Sequence, residues 1–160
     1  MNAVSLRTER AIVDWLSSLD WSASDLGTPS CLTSYGKGAF NDPDLEDVMP
    51  DFPRIIVTVT QAAAVMPKDT TCEMSVRAEL QVSADDSTET TILSIVRIFD
   101  NALQDLFLEN GASVLDAAES NDNGAFTAQF ATPTDFGSTS TTDRSRIFAR
   151  TFTLFASATT

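Results

Sequence analysis

From Cys72 to Ser83 the chain alternates without a fault: Cys72, Met74, Val76, Ala78, Leu80 and Val82 are apolar, and Glu73, Ser75, Arg77, Glu79, Gln81 and Ser83 are polar. A period of two over that length fits a β-strand with one buried and one wet face, and no helix can satisfy it. Strands of this kind sit in antiparallel sheets with one solvated side. The remaining segments must therefore supply partner strands and a cover for the apolar face.

Arg54 to Thr60, rich in β-branched residues and opened by Pro53, predicts one partner strand. Phe126, Ala128 and Phe130 alternate as another, and Phe148, Phe152 and Leu154 mark a terminal strand whose apolar side Arg150 interrupts. The cover is helical. Val4, Thr8, Ala11, Ile12, Trp15, Leu16 and Leu19 share one side of a 3.6-residue period, as do Ile92, Ile95, Val96, Phe99, Leu103, Leu106 and Phe107. Asp86 and Glu89 are spaced as a capping box for the second helix, and Asn110-Gly111 as its stop. The order is α-ββ-α-ββ: an α+β fold in which about four antiparallel strands carry two helices on one face.

One domain over residues 1–160 is the expectation for this length. Residues 28–53, with Pro29, Gly36, Gly38, Pro43 and Pro50, read as one long loop, and the Ser/Thr-rich residues 132–145 as a second, mobile in an isolated subunit. With 42% apolar and 21% charged residues the chain has an ordinary globular profile, which argues against wholesale disorder. It opens on no positively charged leader and contains no apolar run of membrane-spanning length, so the expectation is a protein made in the cytosol.

Charge and chemistry exclude more than they suggest. Against 10 basic residues stand 23 acidic ones, a net charge of -13 that repels a phosphate backbone and disfavours wrapping of nucleic acid. Such a surface keeps subunits soluble, lines a channel through which DNA slides without sticking, or imitates DNA toward a basic protein. The chain has no histidine, which removes the commonest general base and most transition-metal sites. Cys31 and Cys72 lack metal-site spacing and are expected reduced, Cys72 as small core filler. Neither Lys37 nor Lys68 sits in an apolar context that would make it a nucleophile.

The apparent motifs dissolve on the same grounds. Gly36-Lys37-Gly38 lacks the wider spacing of a phosphate loop. Glu119, Asn121, Asn123 and Gly124 start like a calcium loop, but Phe130 stands where its bidentate Glu belongs. Asp85-Asp86 is accounted for by helix capping, and Asp42, Asp44, Glu46, Asp47 and Asp51 read as a solvated loop, with a docking site for a basic partner or a divalent ion as the alternative. No catalytic residue, metal or cofactor is expected.

Candidate interface residues remain. Glu73, Arg77 and Glu79 alternate in sign on the polar side of the long strand, suiting a water-filled or subunit-facing surface. Arg144, Arg146 and Arg150 concentrate positive charge in an acidic chain; they pair either with carboxylates of a neighbouring subunit or, within the chain, with Glu73 or Glu79 across the sheet. Tyr35, Phe40 and Phe136 are loop aromatics that either anchor a partner or fold back on their own core.

Taken in order, a leading helix, Pro53-Arg54-Ile55-Ile56-Val57 opening a strand, a long alternating strand running into Ser83-Ala84-Asp85-Asp86-Ser87-Thr88-Glu89, and Asp143-Arg144-Ser145 before a terminal strand resemble the tail-terminator proteins of long-tailed bacteriophages. The resemblance covers most of the chain from about Asp51 onward and rests on strand and cap signals. It implies helices packed on one antiparallel sheet and a ring, typically hexameric, that caps the tail tube, ends its polymerisation and joins the tail to the head connector. The implied partners are further copies of the chain, the tail-tube protein, connector or neck proteins and, where the tail contracts, a sheath. DNA passes the lumen without specific binding, no membrane is involved, and the location is the virion tail or neck, assembled in the host cytoplasm. The family supplies no catalytic motif. Competing readings are a head-completion or neck adaptor ring, a monomeric acidic DNA mimic, and an enzyme working with carboxylates alone. The mimic wants carboxylates along one exposed face, whereas here many lie in loops and at helix starts.

Overall fold

The computed structural model describes residues 4–34, 52–64, 71–83, 88–106, 126–141 and 145–158. For residues 4–5, 7, 61–64, 71–72, 126–141 and 154–158 it describes backbone path and pairing alone. The elements are α1 (Val4–Ser18), β1 (Ser30–Thr33), β2 (Arg54–Ala64), β3 (Thr71–Ser83), α2 (Glu89–Gln104), β4 (Phe126–Thr141) and β5 (Ser145–Ala158).

The five strands form one sheet in the order β1-β2-β3-β5-β4. Its four long strands pair antiparallel, and β3 lies between β2 and β5, with Ala78 opposite Val57 on one side and Arg150 on the other. The central place suits the most regular alternation in the chain, because a central strand has both edges satisfied and one face to bury.

Two segments depart from the sequence reading. Within residues 28–53, Ser30–Thr33 form β1, parallel to β2 with Cys31 opposite Ile55. A four-residue parallel edge strand carries neither the length nor the alternation that marks a strand in sequence. Within residues 132–145, β4 runs through to Thr141, paired with β5 across register shifts at Phe130/Pro133, Pro133/Asp135 and Phe136/Ser138. Those bulges take up Pro133 and Gly137, and threonine is itself a good strand former, so a polar, proline-bearing segment is held as strand by its partner.

Both helices lie on one face. Ala11, Ile12, Val13 and Leu16 of α1 and Ile92, Ile95, Phe99 and Leu103 of α2 join Ile55, Val57, Val59, Met74, Val76, Ala78, Leu80, Val82 and Phe152 in one buried cluster. Each large aliphatic or aromatic side chain so buried stabilises by roughly 1.5–3 kcal/mol relative to exposure, making this cluster the main source of stability. Trp21 closes the end of α1, buried and donating its indole N–H to the Leu16 carbonyl at 3.0 Å. The N-cap of α2 is Thr88, not Asp86. Its side chain accepts from the Thr91 amide, and the Thr91 hydroxyl accepts from the Thr88 amide at 3.0 Å. The capping box therefore sits two residues later than the Asp86/Glu89 spacing suggested, and Glu89 is the first helical residue, where its negative charge meets the helix dipole favourably.

Candidate interaction surface

The face turned away from the helices is built by the odd-numbered residues of β3 and their register neighbours. The rows Thr58–Arg77–Thr151, Ile56–Glu79–Ala149 and Arg54–Gln81–Ile147 cross β2, β3 and β5. Along it runs a chain of polar contacts. The Arg77 guanidinium donates through Nε to Glu79 Oε1 at 2.7 Å, and its Nη2 lies 2.7 Å from the same oxygen. Gln81 Nε2 donates to Glu79 Oε2 at 3.3 Å, and Arg54 Nε donates to Gln81 Oε1 at 2.7 Å. The Arg54 guanidinium lies over the Phe52 ring, 4.4 Å from its centroid, and burial pushes its pKa below the ordinary arginine value.

Gln81 is buried and Glu79 and Arg54 half-buried, whereas the Arg77 side chain is 50% exposed. One end of the chain is thus fixed by packing and the other is presented to solvent. The Arg77–Glu79 pair adds little stability, about 0.5 kcal/mol for an exposed pair; what it does is hold the guanidinium in a fixed orientation with donors left over. Among the described side chains of β2, β3 and β5, this face bears two arginines, Arg54 and Arg77, and two glutamates, Glu73 and Glu79. Those described side chains balance in charge, in a chain whose net charge is -13.

The sequence candidates fall into three groups. Glu73, Arg77 and Glu79 share this face as their alternation required, with Glu73 and Arg77 exposed. The arginines do not act together. Arg150 lies on the helix side, buried, donating through Nε to Asp100 Oδ1 of α2 at 2.7 Å and through Nη2 to Asp100 Oδ2 at 3.1 Å. Its Nη1 donates to the Ala149 carbonyl at 3.0 Å. Arg150 is therefore no subunit-facing group, and its intrachain partner is neither Glu73 nor Glu79: those belong to the opposite face of the sheet, and the carboxylate within reach comes from the helix above it. Arg146 is exposed at the start of β5, opposite Val82. Phe136 lies in β4 rather than a loop, its backbone opposite Arg150. Tyr35, Phe40, Arg144, Lys37 and Lys68, the Gly36–Gly38 segment, Asp85-Asp86, the acidic run 42–51, the Glu119–Gly124 stretch and the helix stop at Asn110-Gly111 lie outside the described residues.

Glu9 gave no signal in the sequence. It is fully buried on α1, and its carboxylate accepts from two backbone amides, Oε2 from Val59 of β2 at 3.1 Å and Oε1 from Ser34 just past β1. Cys31 is a free, half-buried thiol whose pKa burial pushes up to about 11 against a smaller opposing effect of the Ser17 hydroxyl. Among the described residues no three Cys, Asp or Glu side chains are grouped as a metal site, and no helix is long and apolar enough to cross a membrane.

These elements define the class: an α+β protein with two helices over one face of a mostly antiparallel, mixed sheet and an ordered polar opposite face. A solved structure whose description states no function shares that fold at a TM-score of 0.54 and 12% identity, over 96% of this chain and 92% of that chain. No protein-family model and no curated protein matches the sequence.

Proposed function

We propose that the protein is a structural subunit that works by assembling with copies of itself, as a ring of the tail-terminator type: it caps a phage tail tube, stops its growth and offers the joining surface for the head connector while DNA passes through. The observation that carries the reading is the sheet face opposite α1 and α2, whose described side chains on β2, β3 and β5 balance in charge, with its Arg54–Gln81–Glu79–Arg77 chain. Copies of a chain at -13 repel one another over most orientations, and a face where positive and negative groups offset is where that repulsion is least. A pre-oriented guanidinium with unused donors suits a carboxylate of a neighbour, giving register and specificity more than raw affinity. The order of sequence signals from about Asp51 onward supports the particular kind of ring.

Sedimentation and negative-stain microscopy of the purified chain, alone and added to growing tail tubes, test the proposal. Rings, and tubes ending in a ring at limited length, are expected, and Arg77→Glu should weaken ring formation while leaving the fold intact. A chain that stays monomeric at every concentration and leaves tube length unchanged overturns it; rings that bind only connector proteins shift it to a neck adaptor.

A further inference from the structure

The contact of Glu9, on α1, with the sheet edge points to a role that assembly does not require. In a parallel ladder each inward-turned residue of one strand is bridged by two residues of its neighbour, spaced two apart. With Thr33 opposite Val57, the Ser34 amide donates to the Val57 carbonyl at 3.1 Å, as that ladder demands. One step further, the ladder would have the Val59 amide donate to the Ser34 carbonyl. It donates to the Glu9 carboxylate instead, and the second carboxylate oxygen accepts from the Ser34 amide. A helix side chain has replaced the next carbonyl of β1.

We propose that Glu9 is a strand terminator and edge guard: its carboxylate ends the parallel pairing after Thr33 and occupies the amide through which the outer edge of β2 would otherwise add an extended strand from another copy. The need is physical. Among the described residues β1 covers β2 only from Arg54 to Val57, while β2 continues to Ala64, and an uncovered strand edge is a template for intermolecular pairing. A carboxylate suits the position because it accepts two amides at once and offers no donor, so it satisfies the edge without continuing it. Full burial makes the arrangement costly to leave unmade, since removing Glu9 takes the acceptor from the Val59 amide and leaves the Ser34 amide with the Val57 carbonyl alone.

The test compares Glu9→Ala with the wild-type chain at equal concentration. Hydrogen exchange over residues 54–60 should rise roughly tenfold or more, while the centre of β3 from Val76 to Leu80 stays protected. A concentration-dependent association beyond that of the wild type should appear. By the alternation of the ladder the Gln61 amide faces the same outer edge as that of Val59, so adding Gln61→Pro removes an outward donor without removing a bond to β3. The double variant should lose the extra association and keep the fast exchange. Glu9→Gln, which keeps one acceptor oxygen, should show a smaller rise and carries the same readout if Glu9→Ala does not fold. Unchanged exchange over 54–60, or extra association indifferent to Gln61→Pro, overturns the proposal.

Discussion

Removing either partner of the Arg150–Asp100 pair should destabilise the fold unequally, and the inequality follows from the geometry. The Arg150 side chain is 6% exposed and Asp100 28% exposed, with two hydrogen bonds between them at 2.7 and 3.1 Å. Asp100→Ala leaves a guanidinium locked between α2 and β5 with its main counter-charge gone, and such broken pairs cost about 3–5 kcal/mol. Partial exposure lets water reach the vacated site, which places the expected cost near the lower end, about 3 kcal/mol. Arg150→Met leaves a carboxylate more than a quarter exposed, able to rehydrate, and fills the buried volume with an apolar chain, so about 1 kcal/mol is expected. Arg150→Met combined with Asp100→Leu should lie within about 1 kcal/mol of wild type, because the desolvation cost of the pair disappears with the pair. Urea unfolding followed by tryptophan emission measures all three, since Trp21 is buried against the core, and unchanged slopes certify that stability rather than compactness moved. Equal costs for the two single variants, or a double variant as damaged as Asp100→Ala, would refute the account.

Two further perturbations read other parts of the structure. Thr88→Ala removes the half of the α2 capping box in which the Thr88 side chain accepts from the Thr91 amide, leaves the backbone amide of residue 88 to the Thr91 hydroxyl, and should cost about 1 kcal/mol by the same unfolding assay, whereas Asp86→Ala should leave that box untouched and cost less than half as much. The Cys31 thiol, raised to about 11, should react with iodoacetamide more slowly than an unfolded control at pH 9 and accelerate up to about pH 11, as read by mass spectrometry of its peptide. Over that window the folded state keeps a proton the unfolded state has released, so stability falls as pH rises, and stability rising through it would contradict the burial.

The legible parts of the fold were those where one physical requirement repeats along the chain. The faultless alternation of 72–83 fixed a two-faced strand, and the stripe Ile92, Ile95, Phe99, Leu103 fixed the helix over it, because burial imposes a period the side chains must follow. Where structure is imposed by a partner, no such period exists. β1 is a strand only because β2 lies beside it, and the segment from Thr132 to Thr141 is one only because β5 holds it through three bulges. The cap of α2 was misplaced because Asp86/Glu89 and Thr88/Thr91 both satisfy the spacing rule, and backbone direction chooses between them. The candidate surface was half visible. Arg150 announced itself by breaking an apolar alternation, which calls for a counter-charge nearby, but that the counter-charge is Asp100 depends on how α2 crosses the sheet. Glu9 sits beside the apolar stripe of α1, and nothing local separates it from an ordinary solvated glutamate.

The charged groups divide according to what they prevent. Arg150 and Asp100 neutralise each other between the layers, fixing α2 over β5 at a place where an apolar contact would leave the helix freer to slide. Toward one end of the sheet, Glu9 occupies the edge of β2 just beyond β1. At the other end β4 has no further strand among the described residues, but its bulges and Pro133 interrupt the regular row of donors that strand addition needs. With both edges blunted by different devices, edge pairing is a poor route for contact between copies. Among the described residues, the face opposite α1 and α2, where Arg77 is held by Glu79 yet half exposed, is a surface on which two acidic chains can meet at low electrostatic cost, and the proposed ring rests on that asymmetry between edges and face.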